Sequence, residues 1–276
     1  MVSDAVLARL RGMLNDVAAQ FAARLPDEGE GALNSSADQV DALAKQLATD
    51  ASLLGYLHTV AIEGLLTERL EQRASIDPIL SPLWQELIAS TDPMIAEIAM
   101  QALAAQSRFM QAQRRMQHPM GEMPPDTLER ALEVLARAPS ISNPADAERA
   151  IGLLKSDYDE AESRAGQIAR LVTAMRGGTI VALELEHAGF ALFASALADR
   201  TAQPRERAVL ACHKRQGARL ALSLRAAGLD TAAIERQFLT LEPEEQAPYG
   251  LTNLSVETAR ALLLQSGTPG VQPELS

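Results

Sequence analysis

The chain is poor in the residues that build sheets, disulfides and multi-cysteine metal sites. Its 276 residues include one cysteine, one tryptophan, three tyrosines and five phenylalanines. A single cysteine excludes an intramolecular disulfide, and strands favour the aromatic and β-branched residues that are scarce here. No apolar stretch of about 18 uncharged residues occurs, so the sequence predicts no membrane insertion. A sequence with only one cysteine is typical of a reducing compartment, and we expect a cytoplasmic protein.

Alanine and leucine take the apolar positions instead, with 49 and 40 residues respectively. Both are strong helix formers, which predicts an all-α protein. The formal net charge is −11, and three lysines accompany 22 arginines. Since non-specific nucleic-acid binding depends on neutralising phosphates with basic residues, this balance makes nucleic acid an improbable partner.

Residues that cap helices mark where helices begin. Asp77-Pro78, Ser81-Pro82, Asp92-Pro93 and Asn143-Pro144 each join a good N-cap residue to proline, which suits the first helical position. Gly177-Gly178 and Gly228 follow periodic segments and indicate helix ends. These signals and the 3.6-residue periodicity predict helices at 3–24, 36–48, 51–74, 82–90, 93–117, 125–138, 144–176, 180–200, 204–213, 215–227, 231–240 and 255–265.

The predicted helices suggest a multi-helix array in two packed halves. An N-terminal helix and an acidic Gly/Ser linker occupy 1–36, an N-terminal helical half 37–138, a C-terminal helical half 139–266, and a flexible tail 267–276. Helix–turn–helix units of irregular length recur without a constant period, which is compatible with a degenerate HEAT-like repeat.

The sequence contains no recognisable catalytic motif. Glu184 and His187 have the Glu-x-x-His spacing of a helical metal ligand pair, and Glu186 lies between them, but the paired motif that a di-iron bundle needs is absent. Cys212 and His213 are adjacent on a helix and point about 100° apart, so they cannot act together as nucleophile and base. We therefore expect a non-enzymatic protein with no cofactor and no metal, and a buried Cys212.

Basic residues are concentrated in two segments of this acidic chain. The candidate partner-binding residues are Arg108, Arg114 and Arg115 in the first segment and Arg205, Arg207, Arg215 and Arg219 in the second. Methionine packs adaptably, so the methionines around the first segment could form a partner groove or simply fill the core. They are Met94, Met100, Met110, Met116, Met120 and Met123.

The segment 218–239 has the pattern of a helix-turn-helix. Leu224, Gly228 and Ile234 match the packing positions of that motif. Its second helix would have to meet base edges and phosphates, yet it offers Asp230, Thr231, Glu235, Arg236 and Gln237, with a net charge of −1. We therefore retain a DNA-binding regulator only as an alternative interpretation of this segment.

Two stretches combine helices rich in small residues with short loops. They are LIASTDPMIAEIAMQALAAQSRFMQAQRRMQHPMGEMP (Leu87–Pro124) and HAGFALFASALADRTAQPRERAVLACHKRQGARLALSLRAAGL (His187–Leu229). These stretches resemble a bacterial helical family known as domain of unknown function 2336. The resemblance covers residues from about Asp50 to Leu263 and rests on structural signatures. It implies a HEAT-like helical fold and no established activity.

These observations favour a regulatory or signalling adaptor that binds another protein through charged and adaptable helix faces. A module that senses a small ligand or nucleotide through an arginine pocket between the halves is the principal alternative. Self-association is also open, because small side chains on 180–200 and 215–227 allow helices to approach closely.

Overall fold

A computed structural model describes residues 3–26, 32–214 and 216–266, and every regular element in these ranges is helical. The all-α prediction is confirmed. The α-helices in the described ranges are α1 (Asp4–Ala22), α2 (Ala32–Leu47), α3 (Ala51–Ala74), α4 (Pro82–Ile88), α5 (Pro93–Arg114), α6 (Pro125–Ala136), α7 (Pro144–Ser156), α8 (Arg164–Met175), α9 (Leu185–Thr201), α10 (Arg205–Ala211), α11 (Gly217–Ala227), α12 (Thr231–Leu241), α13 (Tyr249–Thr252) and α14 (Val256–Ser266). Three 3₁₀ segments add Met120–Glu122, Glu160–Glu162 and Arg176–Leu183.

Capping residues explain several of these boundaries. Ser3, Asn143 and Asp230 accept backbone N–H groups in the first turns of α1, α7 and α12. Gly228 ends α11 in the left-handed conformation with φ 108°, as a C′ glycine commonly does. At these four helix ends, the residue types that predicted the boundary also form the capping hydrogen bond or the left-handed conformation seen in the structure.

The single helix predicted at 144–176 is wrong, because the chain forms α7, a 3₁₀ turn and α8 there. Asp159 accepts the N–H of Ala161, and Ser163 Oγ accepts the N–H of Gly166 at 3.1 Å. A Cβ atom on Gly166 would lie 2.4 Å from the carbonyl oxygen of Glu160. The returning turn thus needs glycine at 166, and these capping bonds end one helix and start the next.

The helix predicted at 180–200 begins later than expected. Arg176–Leu183 is a 3₁₀ helix, and α9 follows from Leu185 with a kink at Gly189, where φ is 71°. Ser81 Oγ donates to the carbonyl oxygen of Ala188 at 2.7 Å, beside the kink. A side chain at 189 would approach Ser81 and would be strained at this φ, so glycine is needed for the kink.

The described residues fall into two compact units, and each unit combines two separate stretches of chain. The first unit takes its residues from Met1–Leu65 and Met100–Gln167. In it α1 packs on α2, α2 packs on α6, and α6 packs on α7. Its core contains Met13, Phe21, Leu43, Leu47, Leu57 and Leu135, all fully buried.

The second unit takes its residues from Leu66–Ala99 and Ile168–Ser276. Helix α9 is its centre, since α4, α10, α11 and α12 all contact it. Almost every residue of α9 from Leu185 to Ala198 is buried, as a helix that is apolar all round requires. Trp84, Phe193 and Phe238 are the largest fully buried side chains of this unit.

This division differs from the consecutive halves expected at 37–138 and 139–266. The expected boundary at 139 lies inside the first unit, where α6 contacts α7. Helices α3 and α5, of 24 and 22 residues, each contribute to both units. Of the expected linker, Ala32 onward already belongs to α2, whereas 27–31 and the expected tail at 267–276 lie outside the described residues.

None of the helices in the described ranges combines the length and apolar character needed to cross a membrane.

Candidate functional site

The three arginines predicted in the first basic segment all lie at the C-terminal end of α5. The side chains of Arg108, Arg114 and Arg115 are exposed. Within the described ranges these side chains have no ion pair with any carboxylate, whereas Arg130, Arg137 and several other exposed cations of this unit do. The end of α5 therefore presents uncompensated positive charge.

One side of α5 carries this charge along the helix. Met100, Ala104, Arg108, Gln111 and Arg115 recur at intervals of three or four residues, and all five are exposed. The N–H of Arg115 still donates to the carbonyl of Gln111 at 3.2 Å, so the helical geometry continues through Arg115. We call this stripe, together with the exposed Arg114 beside it, the basic face.

The opposite side of α5 is buried in the first unit. Ala102, Ala105 and Phe109 are at most 6% exposed, as the periodicity of the sequence predicts. A helix packed along one side is held in place, so the basic face is a preorganised surface rather than a loose segment.

The C-terminal end of α5 approaches α1 closely. A Cβ atom on Gly12 would lie 2.5 Å from Cβ of Met116 and 2.7 Å from its carbonyl oxygen, so only glycine fits there. This contact brings Arg11, the chain neighbour of Gly12, to the same end of α5. Arg11 is exposed and has no ion pair in the described part of the chain, so α1 carries a further uncompensated arginine near this end of α5. Sequence reasoning missed it because nothing in the local sequence links α1 to α5.

Two side chains of α1 hold the turn that follows α5. Asp16 Oδ2 accepts the N–H of His118 at 2.9 Å. Gln20 donates to the carbonyl of His118 at 3.0 Å and accepts the N–H of Met120 at 2.8 Å. Three backbone groups of the turn are thereby satisfied by two side chains, which restrains the end of the helix that carries Arg114 and Arg115.

A buried polar network lies on the packed side of α5. Arg164 donates to both carboxylate oxygens of Glu63, at 2.7 and 2.8 Å, in a bidentate pair. Its Nη1 also donates to Gln106 Oε1 at 3.0 Å, and its guanidinium lies 3.7 Å from the ring centre of Phe109. The side chains of Arg164 and Glu63 are 7% and 3% exposed. Sequence reasoning missed this pair because its partners are 101 residues apart.

His118 belongs to the same buried region. Its Nε2 lies 3.2 Å from the hydroxyl of Tyr56, which donates to the carbonyl of Glu122 at 3.1 Å. The Glu122 carboxylate in turn accepts the N–H of Arg164 at 2.7 Å. Burial, followed by the positive charge of Arg164, lowers the pKa of His118 to about 3. The ring is therefore neutral at physiological pH, which suits a structural role.

The second basic segment has a different character. Arg205, Arg207 and Arg219 are each half-buried, and Arg205 Nε donates to Ser195 Oγ at 2.8 Å. Arg219 Nε is buried and has no hydrogen-bond acceptor among the described residues. Arg215 lies outside the described residues. These three half-buried arginines pack partly against the second unit, so their charges are less accessible than those of the basic face.

The methionines near α5 divide into core and surface residues. Met110, Met120 and Met123 are at most 3% exposed and fill the core of the first unit. Met100 and Met116 are 60% and 42% exposed on or beside the basic face, and Met94 is exposed in the second unit. Two exposed methionines therefore flank the arginines and can supply adaptable apolar contact.

The groups considered for catalysis make other contacts. His187 Nε2 lies 3.4 Å from a carboxylate oxygen of Glu86, and Glu184 Oε1 accepts from Gln237 at 3.2 Å. Cys212 is buried, as expected, and donates from Sγ to the carbonyl of Ala208. Among the described residues, no group of three or more histidine, cysteine, aspartate or glutamate side chains could hold a metal ion.

The helix-turn-helix pattern folds as two helices and a turn, α11, Gly228 and α12. Gln237, however, is 1% exposed, and its side chain binds the N–H of Leu185 and the carboxylate of Glu184. A residue held in this way cannot reach a base edge. The exposed positions of α12 include Glu235, Arg236 and Leu239, and Arg236 lies 3.8 Å from a carboxylate oxygen of Glu184, so this helix offers little free positive charge to a phosphate backbone.

No family model, curated protein or solved structure matches the chain. The resemblance to domain of unknown function 2336 and the arginine pocket between the halves stay predictions.

Proposed function

We propose that this protein is a non-enzymatic adaptor that binds an acidic segment of another protein through the basic face of α5. The proposal is carried by one observation: Arg108, Arg114 and Arg115 are exposed without ion pairs on a helix that is buried along its other side. The net charge of the chain is −11, so a surface with uncompensated positive charge can favour acidic partners over basic ones.

A protein partner suits this surface better than nucleic acid does. The basic face has three arginines, whereas the chain as a whole, with a net charge of −11, would be repelled by a phosphate backbone. Exposed Met100 and Met116 add apolar surface of the kind found at adaptable protein interfaces.

The charges are expected to govern recognition more than affinity. Exposed ion pairs contribute about 0.2–1 kcal/mol each, but complementary charge speeds association and disfavours partners of the wrong sign. Binding through the basic face should therefore weaken as the salt concentration rises.

Affinity purification from the native cells with the triple variant Arg108→Glu, Arg114→Glu, Arg115→Glu tests the proposal. The matched control is Arg137→Glu, Arg149→Glu, Lys155→Glu, which changes the charge of the same unit equally at other exposed positions. We expect a protein partner, identified by mass spectrometry, that the wild type and the control retain and the α5 variant loses. Equal recovery by all three proteins would contradict the proposal.

A further inference from the structure

The proposed function leaves open which structural element of the partner meets the basic face. We propose that this element is an α-helix with two carboxylates seven residues apart, which pair with Arg108 and Arg115. The inference rests on the proposed function, and it adds the secondary structure and the charge spacing of the partner.

The spacing follows from the helical geometry of α5. Arg108 and Arg115 are seven residues apart and lie on the same side of the helix. At a rise of 1.5 Å per residue, their backbones are about 10.5 Å apart along the helix axis. Carboxylates seven residues apart on a partner helix have the same axial separation and also share one side, so both pairs can form together.

The residues along the basic face are suited to helix packing. Ala104 is exposed and small, so a second helix can approach the backbone of α5 closely there. Gln111 lies between the two arginines and can hydrogen-bond to a partner side chain without adding charge. Met100 is 60% exposed one turn before Ala104, where it would cover an apolar residue of the partner.

An extended partner segment is less suited to this surface. A strand binds a sheet edge through main-chain hydrogen bonds, and no strand occurs among the described residues. The main-chain groups of α5 are used within the helix, so recognition has to proceed through side chains. Apolar and charged side chains at helical spacing on α5 are met best by side chains at helical spacing on the partner.

Two synthetic peptides of equal composition test the inference with the full-length protein. Each is an alanine-rich helix of about 20 residues, long enough to be helical in water. In the first, two glutamates are seven residues apart; in the second, they are five residues apart and point about 140° away from each other. Binding is measured by NMR titration at low salt, with R137E/R149E as the control variant and R108E/R115E as the test variant.

We expect the first peptide to bind up to about fivefold more tightly than the second, since two exposed ion pairs form instead of one. R108E/R115E should lose this preference and recover it for a peptide with lysines seven residues apart, whereas R137E/R149E should behave like the wild type. Circular dichroism and the melting temperature verify that the variants are folded.

The remaining outcomes separate the two proposals. Equal binding of both glutamate peptides, lost in R108E/R115E, would overturn the helical spacing and leave the proposed function standing. Absence of binding by both peptides and by poly-glutamate would overturn both proposals. Tighter binding of a DNA duplex than of either peptide, lost in the same variant, would also overturn both.

Discussion

The pair of Glu63 and Arg164 allows a sharp test of how the first unit is stabilised. Replacing Glu63 by glutamine keeps the size of the side chain and removes its charge, which leaves the guanidinium of Arg164 buried without a counter-ion. Both side chains are less than a tenth exposed and are joined by two hydrogen bonds of 2.7 and 2.8 Å. Removing one partner of such a pair costs about 3–5 kcal/mol of unfolding free energy.

Replacing the other partner of the pair, Arg164→Met, should cost a similar amount of unfolding free energy. It removes the two guanidinium donors to the buried Glu63 carboxylate and the guanidinium that lies 3.7 Å from the ring centre of Phe109. It also removes a donor to Gln106, whose loss adds to the cost.

The double variant Glu63→Leu, Arg164→Met should be less destabilised than either single variant. Apolar residues of similar size carry no desolvation cost, so replacing the whole pair is often neutral or stabilising. Urea unfolding followed by far-ultraviolet circular dichroism measures all three variants. Asp157→Asn is the surface control, because Asp157 and Arg24 form a 2.9 Å pair whose side chains are 56% and 42% exposed. Its loss should cost less than about 1 kcal/mol.

Two results would refute this reasoning. One is a cost for Glu63→Gln as small as that for Asp157→Asn, since the buried position would then have no energetic weight. The other is a double variant destabilised more than either Glu63→Gln or Arg164→Met, since removing both charges together would then bring no compensation.

Further predictions concern pH and close packing. The pKa of His118 is about 3 in the folded chain, well below the usual value near 6.5, so the unfolded chain takes up a proton first as the pH falls. Stability should therefore decrease from about pH 6.5 downward by up to about 1.4 kcal/mol per pH unit, and His118→Gln should flatten this dependence in urea unfolding at several pH values. The hydrogen bond from the N–H of Leu53 is the first cause of the lowered pKa of Asp50. The stability that the Asp50 carboxylate contributes is therefore lost only below about pH 4, so a pH series separates it from the contribution of His118. Gly12→Ala should lower the melting temperature because its Cβ meets the Met116 backbone, whereas Gly152→Ala in α7, with no atom within 4 Å, should raise stability by about 0.5–1 kcal/mol. A lowered melting temperature for Gly152→Ala and an unchanged one for Gly12→Ala would contradict the packing at both sites.

Local chemistry made most of the secondary structure predictable. Ser81-Pro82, Asp92-Pro93 and Asn143-Pro144 start α4, α5 and α7, because proline suits the first helical turn and the side chains of Asp92 and Asn143 also accept a backbone N–H there. The error at 144–176 has a local cause as well, because Asp159 and Ser163 are capping residues whose signal is weaker without a following proline.

The candidate site was predictable only in part. The arginines of α5 and their exposure follow from the amphipathic pattern of one helix, which the sequence contains in full. Arg11 lies near the same end of α5 because Gly12 contacts Met116, and this contact links residues more than a hundred positions apart. The half-buried state of Arg205 likewise depends on Ser195 and could not be inferred from charge alone.

By itself, the sequence determined that this chain is helical, where most of its helices begin and end, and which side of α5 is charged, because each of these depends on neighbours within a few residues. Only the tertiary structure decided that the compact units are built from interleaved stretches and that Glu63 meets Arg164. The physical reason is that contacts between residues a hundred positions apart depend on which helix faces are buried against each other. Each residue contributes only a little to that burial, and no local sequence pattern specifies which two faces meet.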